Sequence, residues 1–203
     1  MSAYTRKKFA MSRPRRGSPS VTRERLMTAA AALFNKVGYY RTDSNRIAAE
    51  AGYATGTFYK HFRDKRDVFL AVYASWVGSE WSAVESELAA GKEAEVTAKR
   101  LVELSIEFHT KWRGLRASLL ELVFTDAHVR RFYRTQRRKQ LDLMARLRVE
   151  IGASPRSREE DAVHLYTTER TFDAIANGEI EALGLDRELV IRALVERVAA
   201  LLI

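Results

Sequence analysis

The chain has 203 residues, 46% of them hydrophobic and 30% charged, with a formal net charge of +9. That length holds one large domain or two small ones around a real core, and the balance is ordinary for a globular chain. The sequence has no cysteine, which excludes disulfides and thiolate metal sites and suits a reducing, cytoplasmic setting.

The longest apolar runs, such as Leu26–Phe34, are about half the length of a membrane span, so no membrane partner is expected. The N-terminus lacks a continuous apolar signal core, so secretion is not expected either. The charge is unevenly placed. Residues 1–66 carry 15 Lys+Arg and 4 Asp+Glu, giving +11, whereas residues 67–203 carry 20 and 22, giving −2. A positive field of this kind attracts a phosphate backbone whatever its sequence. A solvated basic tail is the alternative.

Residues 1–19 hold two of the three prolines and the arginines Arg13, Arg15 and Arg16. Few apolar residues occur there, so a disordered basic arm is expected. A second Met-Ser at Met11 offers another start. Arginine-rich arms can enter a narrow minor groove, and generic attraction explains them equally well.

The spacing of Leu26, Ala29, Ala30, Leu33, Phe34 and Val37 predicts a helix from Ser20 or Thr22 to Lys36. Gly38 stops it. Thr42 is the expected N-cap of a second helix over 43–51, with Ile47, Ala48 and Ala51 inward. Gly52 ends that helix. A third is expected over 55–61, anchored by Phe58 and Phe62. Asp64 then caps a long fourth helix, with Asp67 three residues on. Further helices are predicted over 66–89, 93–111, 114–125, 127–151, 157–178 and 186–202, punctuated by glycines and Pro155. No strand pattern and no internal repeat occur, so the fold class is all-α.

The stretch from Gly38 to Lys65 reads as a helix-turn-helix whose second helix can enter the major groove. Gly38–Tyr39, Thr42, Ile47–Ala48, Ala51–Gly52, Gly56–Thr57, Tyr59, His61–Phe62 and Lys65 make it resemble the DNA-binding domain of TetR-type bacterial transcriptional regulators. The resemblance implies a basic arm over 1–19, a DNA-binding domain over 20–66 and a helical ligand-binding and dimerisation domain over 67–203. It also implies a homodimer on a palindromic double-stranded operator, acting as a repressor that a small-molecule inducer releases.

Residues matching those that contact DNA in the family are assigned accordingly. Thr55 and Thr57, flanking Gly56, go to bases or nearby phosphates, and Tyr59, Lys60 and His61 go mainly to the backbone. Thr42 and Lys65 are expected to hold phosphate, and Arg41 and Arg46 flank the second helix. Tyr59 and His61 can instead pack inside the small domain. Three positions depart from the family pattern: Ala54 replaces a capping serine, Tyr53 an apolar β-branched residue, and Ser44 a valine. With Ala54 unable to cap, Thr55 is expected to take over the start of the third helix.

For the inducer, Trp76, Phe108, His109, Trp112, Glu121, Phe124, Tyr133, Tyr166, Glu169 and Arg170 are the candidate pocket residues, each with plain core or surface as the alternative. The basic run from His128 to Lys139 is a solvated face or a site for an anion such as an acyl-CoA or another carboxylate. Leu189, Val190, Ala193, Leu194, Val198, Leu201 and Leu202 form one apolar stripe. Ala162, Leu165, Tyr166, Phe172 and Ile175 form a looser one. Together they are the expected dimer seam, with some of them in the intramolecular core. An architectural DNA-coating protein would also suit the basic arm, though it has little need of a long acidic-leaning second part. An enzyme finds no support. There are four histidines (His61, His109, His128, His164), and no G-x-S-x-G, P-loop or HExxH pattern. No catalytic, metal or cofactor set is expected.

Overall fold

Pro19 sets the start of the first helix, because a proline at the first helical position sacrifices no needed N–H. The computed structural model describes residues 18–203. There α1 (Pro19–Val37) opens on Ser18, whose hydroxyl accepts from the Val21 N–H. The predicted start at Ser20 or Thr22 is therefore moved back by the Ser-Pro pair. Gly38, at φ 81°, closes the helix by donating its N–H to the Phe34 carbonyl. The next helices are α2 (Ser44–Glu50), α3 (Thr55–Tyr59) and α4 (Lys65–Ala89). Asp64 accepts from the Asp67 N–H, while Asp67 accepts from the Arg63 N–H. This reciprocal pair fixes the start of α4.

Two compact units emerge, one ending at Val72 and the other running from Tyr73 to Ile203, so that they divide inside α4. In the first, Leu26, Ala30 and Phe34 of α1 are buried, as are Ile47 and Ala48 of α2, Phe58 of α3 and Phe69 of α4. Phe34 meets Phe69 edge-on at 5.1 Å, and Tyr39 stacks on Phe34 at 5.8 Å. Each buried aromatic of this kind contributes roughly 2 kcal/mol through area removed from water.

The second unit adds α5 (Ala94–Thr125), α6 (Ala127–Glu150), α7 (Arg158–Ala176), α8 (Glu179–Ala182) and α9 (Arg187–Ala199). Its core joins Leu101, Val102 and Ile106 of α5 to Phe172 and Ile175 of α7, Ile180 of α8, and Leu194 and Val198 of α9. The two helices predicted over 93–111 and 114–125 are one element, bent at Trp112 (φ −109°, ψ 15°). A glycine inside a helix costs about 1 kcal/mol, and the buried faces on both sides of Gly114 outweigh it. Ser157 and Glu160 form a full capping box at α7. Among the described residues there is no strand, no helix long and apolar enough to cross a membrane, and no cluster that could hold a metal ion.

Candidate nucleic-acid interface and the C-terminal cavity

The turn between α2 and α3 is built by backbone chemistry. Gly52, at φ 79°, lets its own N–H reach the Ala49 carbonyl, and the Tyr53 N–H reaches back to Ala48 at 2.8 Å. That pair of bonds ends α2 and reverses the chain. Phe58 is fully buried on one side of α3, which aims the opposite side outward. Gly56, Tyr59 and Lys60 are exposed, while Thr55, Thr57 and His61 are half-buried. Tyr59 is 56% exposed, too open for the packing alternative. A Cβ at Gly56 would meet nothing within 4 Å, so that face is open to close approach.

Ala54 remains the N-cap of α3 with no side-chain cap, and Thr55 does not take its place. The cap of α2 is Asp43 rather than Thr42, with the Asp43 carboxylate accepting from the Arg46 N–H at 2.9 Å. Thr42 is buried, and its hydroxyl donates to the Gly38 carbonyl at 2.9 Å. Arg41 is exposed, and Arg46 donates to its carbonyl at 3.0 Å. Lys65 is also tied inward. Its ammonium donates to the Tyr39 carbonyl at 2.9 Å and lies 4.1 Å from the Tyr39 ring centre. Burial lowers its pKa, with Asp43 opposing. Thr42, Arg46 and Lys65 together hold the loop between α1 and α2. Arg13, Arg15 and Arg16 lie outside the described residues.

In the second unit, α5, α6 and α7 meet around buried charge. Arg116 of α5 pairs with Glu169 at 3.0 Å and with Asp173, both on α7. Arg137 of α6 clasps Glu169 and donates to Gln140 and the Tyr133 hydroxyl. His109 Nδ1 is 2.8 Å from Asp173. Burial works against the Glu169 charge, yet Arg116 and Arg137 hold its carboxyl below the usual range. Beside this network lies a cavity of about 120 Å³, lined by residues including Glu80, Trp81, Ser105, Met144, Thr168 and Phe172. An adjoining space of about 130 Å³ shares Trp81, Val84, Leu101, Met144, His164 and Val198 with it.

Residues 26–72 match the family model of the bacterial regulatory proteins of the tetR family. Over this stretch the chain is similar to the TetR family. The fatty acid metabolism regulator protein of Bacillus subtilis is 27% identical over 84 residues, 41% of each chain. The transcriptional regulator AcrR of Shigella flexneri is 28% identical over 131 residues, 64% of this chain and 50% of that one. The matches therefore span about half or less of these relatives. A solved structure of the fatty acid degradation regulator of Bacillus halodurans shares the fold, with a TM-score of 0.67, 21% identity, and coverage of 93% of this chain and 96% of that one.

Within the second unit the candidate pocket residues scatter. Of them, Glu169 lines the cavity. Trp76 and His109 are buried beside it, their rings 6.2 Å apart. Trp112 marks the bend in α5, Phe108 and Tyr133 are half-buried, and Tyr133 accepts from Arg137. Glu121, Phe124 and Tyr166 are exposed, and Arg170 pairs at the surface with Glu179 at 2.5 Å. Sequence reasoning passes over Glu80, Trp81, Met144 and His164. Glu80 does leave a signal: it is an acid set among Trp76, Val77, Trp81 and Val84 at helical spacing.

Proposed function

We propose that the chain is a DNA-binding transcriptional regulator that works as a dimeric repressor released by a small ligand. Residues 20–66 are the DNA reader and residues 67–203 the ligand-binding and dimerisation part. The observation that carries the reading is α3 and its C-cap, where Gly56, Tyr59 and Lys60 are exposed and Thr55 and Thr57 half-buried while Phe58 is fully buried. The +11 charge on residues 1–66 supports it. Short polar side chains suit base edges, and Lys60 and Tyr59 suit phosphates. Thr42 and Lys65 enter this reading as supports of the loop before α2, leaving Arg41 as the outward cation there.

The cavity supports ligand release, since helical domains build ligand sites between their helices. Exposed apolar residues on α7 (Val163, Tyr166) and α9 (Leu189) support a two-fold seam. A palindromic operator follows from such symmetry.

An operator found by sequence selection provides the test. Binding should weaken steeply as salt rises, because phosphate contacts release counterions. Lys60→Ala should weaken operator and nonspecific DNA together, whereas Thr55→Val should change the preferred base at particular positions. An unchanged sequence preference in Thr55→Val, together with salt-independent affinity, would reject α3 as the reader.

A further inference from the structure

The buried network of the second unit holds three carboxyls, Glu80, Glu169 and Asp173, and two guanidiniums, Arg116 and Arg137. Both guanidiniums are engaged by Glu169 and Asp173. Glu80 is the carboxyl left over. Its nearest basic atom is His109 Nε2 at 3.7 Å, and that imidazole already serves Asp173 from its other nitrogen at 2.8 Å. Glu80 also lines the cavity, where the surrounding wall is largely apolar and carries the aromatic faces of Trp81 and Phe172. A carboxyl on a largely apolar wall without a fixed cation is costly in its charged form, and a ligand that brings the cation removes that cost. Aromatic faces add attraction for the same charge.

We propose that this cleft binds a small hydrophobic amine, its ammonium paired with Glu80 and its apolar body lying against Trp81, Leu101 and Met144. The size follows from the two lobes of about 120 and 130 Å³, since a cavity of roughly 150 Å³ takes one benzene. A chain of roughly eight carbons fills both. A carboxylate of the same length would find no unengaged cation there, because Arg116 and Arg137 are taken by Glu169 and Asp173, and burying its charge unpaired is costly. The protonation of Glu80 fits this. Burial, with Glu169 adding repulsion, pushes its carboxyl up to about 8, so without a cation beside it the group stays uncharged near neutral pH. The groups facing it are His109 and Arg116 from α5, Arg137 from α6, and His164, Glu169 and Asp173 from α7. Burial, followed by the charge of Arg197, pushes His164 down to about 4, so it stays neutral and does not compete with the ligand's charge.

This inference rests on reading the second unit as the ligand-binding part, and the experiment separates the two. The full chain is titrated with octylamine, octanol and octanoate, read by calorimetry and by the shift in Tm. Octylamine should bind best and octanoate worst. Glu80→Gln should lose about tenfold or more in octylamine affinity while keeping its helix content and its octanol affinity. Octanoate or octanol binding as tightly as octylamine, or an unchanged amine affinity in Glu80→Gln, overturns the amine assignment and leaves a ligand-binding unit of another class. Failure of all three probes to bind also overturns it. Operator release is measured separately: octylamine that binds through Glu80 without releasing DNA upholds the site and rejects the release mechanism.

Discussion

At Glu80 an acid sits where its charge is least welcome, and this shapes how stability depends on pH. Its folded pKa is pushed up to about 8 by burial, against an ordinary 4.5. The folded chain therefore keeps a proton that the unfolded chain releases. The stabilisation from that proton is complete below about pH 4.5 and is lost as pH rises through about 8. Glu80→Gln has no such proton to lose. Urea unfolding at pH 5, 7 and 9 should show the variant gaining on the parent by more than ~1.4 kcal/mol, the equivalent of one pKa unit. Parallel profiles would show that Glu80 is charged throughout. The sequence carries half of this site. Glu80 interrupts an apolar stripe and is visible as an anomaly. Its neighbours Arg116, Arg137 and Glu169 come from three separate helices, and residue spacing along the chain holds no trace of their meeting.

At the scale of elements, most helices are legible because apolar periodicity and capping residues agree with one another. Where the two mislead, a neighbour decides. Thr42 and Asp43 are adjacent and both good N-caps. The buried Thr42 hydroxyl is drawn to the Gly38 carbonyl, which leaves the cap to Asp43. The four residues of α8 are too few for any period to register. Ala54 gives a direct test of local reasoning, since it stands at the N-cap of α3 without a side-chain hydrogen bond. Ala54→Ser should add about 1 kcal/mol of stability by accepting from a free N–H of the first turn. Chemical unfolding of the two proteins measures it, and a variant no more stable than the parent would mean that the α2–α3 turn leaves no room for the cap.

At the scale of the whole molecule, the charge asymmetry and the two-part organisation are legible in the residues themselves, because each is a sum over many positions and tolerates local error. A dimer seam is not legible in this way, because an amphipathic stripe does not say whether the same chain or a second copy covers it. Five residues of the predicted stripes, Leu165, Phe172, Ile175, Leu194 and Val198, are buried within one protomer. Leu194 packs in the core with Ala98, Leu101 and Val102, so a charge there attacks the fold itself. The outward residue is Leu189, 56% exposed on the same helix. The two substitutions therefore have different fates. Leu194→Glu should lose several kcal/mol of stability, since a carboxylate would sit unpaired in an apolar core. Leu189→Glu should fold with full helix content and sediment as a monomer, because a second copy covering this exposed apolar position would bury an unpaired carboxylate. Its operator affinity should fall with dimerisation, as one α3 alone offers one half-site. A folded Leu189→Glu protein that still sediments as a dimer and still holds its operator would move the interface off this face of α9.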